Sequence, residues 1–165
     1  MATGRPVEAA DARYEKETLV MWPSPLGAHN WHSMSFSPLT GLVYIPYQEI
    51  PGTYSNEAGT FVRKRAFNTA AGSSEITELP REYTSGALLA WDPVKQEAAW
   101  RVERPNHWNG GTLVTGGNLV FQGTSAGQLE AYSADKGQPL WKFDAQTGAI
   151  AAPMTYEHTG EQYVA

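Results

Sequence analysis

Cysteine is absent from the 165 residues. That excludes disulfides, thiolate metal sites, iron–sulfur clusters and a covalently attached c-type haem within them. Charge is scarce as well: charged residues make up 18% and the net charge is −5, so nothing suggests wrapping around nucleic acid phosphates. No apolar run approaches the length that spans a bilayer, and Met1 to Ala10 lacks the apolar core of a secretory signal. Aromatics and turn formers are plentiful instead, with six Trp, eight Tyr, five Phe, sixteen Gly and eleven Pro. That mixture suits short aromatic-rich strands joined by tight turns, in a chain of one-domain size.

In chain order, Met1 to Glu17 is polar, and Thr3-Gly4-Arg5-Pro6 resembles the end of a turn. Thr18 to Trp22 is a short apolar run stopped by Pro23 and Pro25. Met34 to Phe36 and Leu42 to Pro46 read as strands flanking the turn Ser37-Pro38-Leu39-Thr40-Gly41. From 47 to 84 the pattern gives way to polar, Gly/Pro-rich sequence, which predicts a long inter-strand loop, functional or partner-contacting or disordered. Arg63-Lys64-Arg65 within it reads as a solvated face. At the end, Glu161-Gln162-Tyr163-Val164-Ala165 reads like a strand beginning as the chain stops, which predicts a piece of a larger protein.

From Gly86 to the end, residues 86–165, a repeat governs the sequence. Gly86-Ala87-Leu88-Leu89-Ala90-Trp91-Asp92 leads to Trp100, and Gly127-Gln128-Leu129-Glu130-Ala131-Tyr132-Ser133 leads to Trp141, every position offset by 41 residues. In the second unit Leu119 to Gly123, Gln128 to Tyr132 and Leu140 to Phe143 read as antiparallel strands, with Ala151 to Tyr156 available as a fourth. Four short strands every forty-odd residues mark a propeller blade. A blade exposes two sheet faces that neighbours must cover, and a Trp at a fixed place can bridge the gap and donate its N–H across it.

The two units, Ala90-Trp91-Asp92 to Trp100 and Ala131-Tyr132-Ser133 to Trp141, share the form Ala-x-Asp-x-x-x-Gly-x-x-x-Trp, which resembles the tryptophan-docking motif of quinoprotein dehydrogenases. Each departs once: Gln96 stands for the turn Gly, and Ser133 for the Asp. Gly27-Ala28-His29-Asn30-Trp31-His32-Ser33-Met34, Gly41 to Pro46, and Gly148 to Tyr156 resemble segments of pyrroloquinoline quinone (PQQ)-dependent alcohol dehydrogenases, and Pro46 to Pro51 is similar to the quinohaemoprotein subgroup. The resemblance covers essentially the whole chain. It implies an all-β fold, a partial β-propeller of two to three four-stranded blades from the C-terminal half of an eight-bladed ring. It also implies a periplasmic enzyme oxidising an alcohol by hydride transfer to PQQ beside a calcium ion. An electron acceptor such as a cytochrome, the remaining blades of the parent chain, and room for haem c in a further domain complete what it implies.

PQQ is a flat quinone with three carboxylates, so a site for it needs aromatic surface, N–H donors and compensating charge. Through the resemblance, Asn30 and Trp31 are expected to contact the cofactor, and Ile150 to touch it. Taken without the resemblance, the first two read as a turn amide and a blade anchor, and Ile150 as plain core. His107-Trp108-Asn109-Gly110-Gly111 opens a blade, its glycines letting backbone approach closely. His29 and His32 lack a third converging ligand and read as polar blade-edge residues. No segment matches the family's catalytic aspartate or calcium carboxylates, and Asp11 and Asp92 sit in turn contexts, so the calcium ligands and the base are expected elsewhere. The chain alone is therefore expected to be inactive. The rival reading is a non-catalytic PQQ-like repeat propeller acting as a protein-binding scaffold, against which the Asn30-Trp31 and Ala151-to-Tyr156 segments weigh. A WD40-type propeller fits less well, since Trp91-Asp92 does not recur.

Overall fold

The computed structural model describes residues 4, 5, 7–10, 12–56, 71–75 and 83–165. Arg63-Lys64-Arg65, Asp11, Thr3 and Pro6 lie outside the described residues. Thirteen strands are present among the described residues: β1 (Leu19–Met21), β2 (Ser35–Ser37), β3 (Leu42–Glu49), β4 (Gly52–Asn56), β5 (Ala71–Glu75), β6 (Ser85–Asp92), β7 (Glu97–Arg104), β8 (Thr112–Val114), β9 (Leu119–Gly123), β10 (Gln128–Ser133), β11 (Pro139–Asp144), β12 (Thr155–His158) and β13 (Glu161–Val164).

Two four-stranded antiparallel sheets, β2-β3-β6-β7 and β8-β9-β10-β11, are the blades. The second is a meander of consecutive strands; in the first, the hairpins β2-β3 and β6-β7 are joined through residues 50–84, which carry β4 and β5. β3 alternates buried and half-buried positions along its length, as a strand with one covered face must. The core joins both blades: Leu42, Tyr44, Leu88 and Ala90 of the first meet Val120, Tyr132 and Ala134 of the second. The first strands of the two blades also meet. The Thr112 N–H donates to the Ser33 carbonyl at 2.9 Å, and the Ser35 and Thr112 hydroxyls share a hydrogen bond of 2.9 Å.

The 41-residue repeat is legible in the register. Ala90 faces Trp100 and Ala131 faces Trp141, and each sheet carries a bulge immediately after that alanine. The two substitutions in the motif keep its turns. Gln96 adopts φ 58° where Gly137 adopts φ 67°, and the Ser133 hydroxyl accepts the Gln138 N–H at 3.2 Å. In the first copy, Asp92 Oδ1 accepts the Val94 and Lys95 N–H groups at 3.0 and 2.9 Å, and the Lys95 N–H bond leads the causes that hold its carboxyl below the usual range.

Trp100 docks the blades. Its indole N–H donates to the Ala134 carbonyl at 3.0 Å, and its ring lies on the Gly137 turn so closely that a Cβ there would sit 2.6 Å from Cε3. Trp141 behaves differently: no further described sheet covers it, and it is 48% exposed, stacked on Phe143 at 6.1 Å.

Two expectations change. The fourth strand of the second blade is β8, upstream of β9, and not 151–156; the chain crosses that stretch and pairs β12 with β13 in a separate hairpin. Between β3 and β6, where a long loop was expected over 47–84, β3 itself runs on to Glu49, and β4 pairs with β1 on one side and β5 on the other in a three-stranded sheet. Polar strands such as Gly52–Asn56 carry no apolar alternation, so nothing in the sequence marked them. Their partner, the apolar run at Leu19–Met21, lies more than thirty residues upstream.

Candidate functional site

Three segments occupy the same place in successive units, four residues ahead of a first strand: Trp31 before β2, Trp108 before β8, Ala151 before β12. Ser35 and Thr112 stand 77 residues apart, as do Trp31 and Trp108. The glycines of the middle segment make this convergence possible. A Cβ on Gly110 would lie 2.8 Å from the Ala149 carbonyl oxygen, and one on Gly111 would lie 2.5 Å from Ser33 Oγ.

Asn30 is held in a turn. Its amide donates to the Leu26 carbonyl at 2.8 Å, and its Oδ1 accepts the Trp31 N–H at 2.9 Å. One amide hydrogen has no partner among the described residues. Trp31 projects from that turn 68% exposed, and its indole N–H meets no described residue. Its ring stacks on His32 at 4.3 Å and 21°, while Trp108 meets both edge-on, at 5.9 Å from Trp31 and 4.9 Å from His32. Such edge-to-face contacts fix ring planes.

His32 is 5% exposed, and its Nε2 has no partner among the described residues. Burial, then the nearby His29, pushes its pKa down, so the ring is neutral at physiological pH. His29 is tied through Nδ1 to the Pro46 carbonyl oxygen at 2.9 Å. Ile150 faces other space: an apolar groove of about 620 Å³ lined with Leu129, Trp141, Phe143, Pro153 and Val164. Asn30 and Trp31 are thus brought together with Trp108, and Ile150 is not one of that cluster.

From the sequence, Trp108 is only one residue of the segment that opens a blade. The signal was there, in the shared distance from Trp31 to β2 and from Trp108 to β8, but β4, β5 and their flanks stretch the 41-residue period to 77 and hide it.

The family described as the PQQ glucose/ethanol/alcohol dehydrogenase β-propeller domain matches residues 84–164. Quinohemoprotein alcohol dehydrogenase ADH IIB of Pseudomonas putida is 70% identical over 165 residues, all of this chain and 24% of that protein. The chain belongs to the PQQ-dependent alcohol dehydrogenase family. The crystal structure of the quinohemoprotein alcohol dehydrogenase from Comamonas testosteroni superposes with a TM-score of 0.84 at 45% identity, over 98% of this chain and 25% of that one. The 1-butanol dehydrogenase (cytochrome c) of Thauera butanivorans is 40% identical over 98% of this chain and 24% of its own length. The chain therefore spans about a quarter of the relatives it matches, and the two sheets are part of a PQQ dehydrogenase propeller.

PQQ requires a ring to lie against and N–H donors for its carboxylates. Trp31 offers an exposed indole face and an unused indole N–H, and Asn30 offers an amide hydrogen. These residues fit the flat, hydrogen-bond-accepting part of the group, and the charge that offsets its carboxylates is not among them.

Proposed function

We propose that the whole protein oxidises an alcohol with PQQ and calcium in the periplasm, and that these residues supply two of its blades and part of its cofactor contact. Bound PQQ supplies the hydride acceptor. Asn30 and Trp31 hold it: the indole presents a flat surface, and the two N–H groups meet carboxylate or quinone oxygen. Ile150, which lines the separate apolar groove, is left out of that contact. The catalytic carboxylate and the calcium ligands lie in the rest of the protein, as does any haem, and a cytochrome takes the electrons.

One observation carries this reading: a large indole left two-thirds exposed, yet fixed in orientation by His32, Trp108 and the Asn30 turn. An aromatic ring kept rigid and uncovered is suited to a planar ligand. The test is titration of the full-length apoprotein with PQQ. Trp31→Phe, which keeps the ring and loses the donor, and Asn30→Ala are each expected to weaken binding. Losing one hydrogen bond to a charged acceptor costs roughly 1.5–3 kcal/mol, about one to two decades. Wild-type affinity in both variants would return the pair to a structural role.

A further inference from the structure

A buried polar chain runs from the blade interface to the Trp108 segment. Arg104, the last residue of β7, is 8% exposed and reaches into the second blade. It pairs with Glu130, lies over the Tyr132 ring at 5.4 Å, and donates to Gln122 Oε1 at 3.2 Å. Because its oxygen is taken, the fully buried Gln122 amide has one orientation, and its nitrogen donates to the Gly110 carbonyl at 3.1 Å. Gly110 stands two residues from Trp108. The same segment is held by Gly110 N–H to the Gly123 carbonyl at 2.9 Å and by Asn109, which donates to Asn106 and accepts from the Ser125 N–H.

A buried ion pair adds little net stability compared with apolar side chains of the same volume, and is better accounted for by the single arrangement it enforces. Two blades already joined by Tyr44, Leu88, Val120 and the Trp100 dock do not require a buried guanidinium to adhere. The chain's free end is the informative part: it leaves the interface and stops on the backbone that carries Trp108.

We propose that Arg104 and Gln122 are positioning residues, setting residues 107–111 so that Trp108 stands edge-on to Trp31 and His32 and fixes the indole plane offered to the cofactor. The proposal rests on Trp31 being a cofactor contact.

Gln122→Glu in the full-length protein separates positioning from adhesion. It keeps the shape and the acceptor for Arg104, and replaces the donor facing the Gly110 carbonyl by a second acceptor. Hydrogen exchange of the apoprotein should rise several-fold in both the 107–111 and 30–33 segments, while β7 and β10 keep their protection. PQQ affinity should fall about three- to tenfold, and the loss should not deepen when Trp108→Ala is added. Arg104→Lys, which keeps the charge but not the fork, should give the same pattern more weakly, and serves if Gln122→Glu does not fold. Unchanged exchange at 30–33, or losses in affinity that multiply in the double variant, would overturn the positioning role. Wild-type PQQ affinity in Trp31→Ala would instead overturn the cofactor reading on which the role depends.

Discussion

Gln96 and Gly137 hold the same turn position in successive blades, and both are left-handed. That region costs a residue with a Cβ about 1–2 kcal/mol. Gln96→Gly in the full-length protein is therefore expected to raise the urea midpoint, by the equivalent of about 1 kcal/mol. Gly137→Ala is expected to lower it by more, since its Cβ would press on the Trp100 ring as well as strain the backbone. Opposite signs at equivalent positions are the mark of a shared turn. The 41-residue spacing made both positions legible in the sequence, and Trp100 with them. Asn30 was less legible: its residue type suits a turn and a ligand equally, and only the coordinates show that its amide is half spent on Leu26 and Trp31. Trp108 could not be matched to Trp31 while the intervening strands were unrecognised.

Between strands, the Ala134 carbonyl receives two donors from the neighbouring blade, the Trp100 indole at 3.0 Å and the Tyr44 hydroxyl at 2.8 Å. Either donor alone satisfies a buried carbonyl. Trp100→Phe and Tyr44→Phe should each cost about 0.5–1.5 kcal/mol, and together more than the sum by roughly 1–2 kcal/mol, because only the pair leaves the oxygen orphaned. Denaturation of the four members of the cycle checks this. Tyr132 gives the same interface a pH response. Burial, then its 2.5 Å bond to Glu130, raises the phenol from 10.0 to about 12. Below pH 10 the phenol is protonated whether folded or not; between 10 and 12 only the unfolded chain ionises, so stability falls across that window. The loss attributable to this group is on the order of 1–3 kcal/mol, and the difference between wild type and Tyr132→Phe in alkaline denaturation should display it. In these two sheets β2, β3, β9, β10 and β11 were readable as short apolar runs between turns, whereas β8, only three residues long, was not, and 151–156 was expected in its place. The sheet β1-β4-β5 was not readable, since β4 and β5 are polar and the apolar run that becomes β1 lies far upstream.

For the whole molecule, residues 1–165 expressed alone and given PQQ and calcium are expected to show no dye-linked alcohol oxidation. The proposed reaction needs a base and calcium carboxylates preorganised together, and that proposal puts them in the rest of the protein. Calcium-dependent turnover would refute this. The Trp100 contact has one more consequence. Its two halves differ, an indole from one blade and a glycine turn from the next, so the joint is head-to-tail and has a direction. Repeated with a constant rotation, such a joint closes into a ring only when the number of units matches the angle, and otherwise winds into an open filament. Splicing one extra copy of the 41-residue unit into the full-length protein should therefore produce chains that associate end to end, visible as species larger than the monomer in analytical ultracentrifugation.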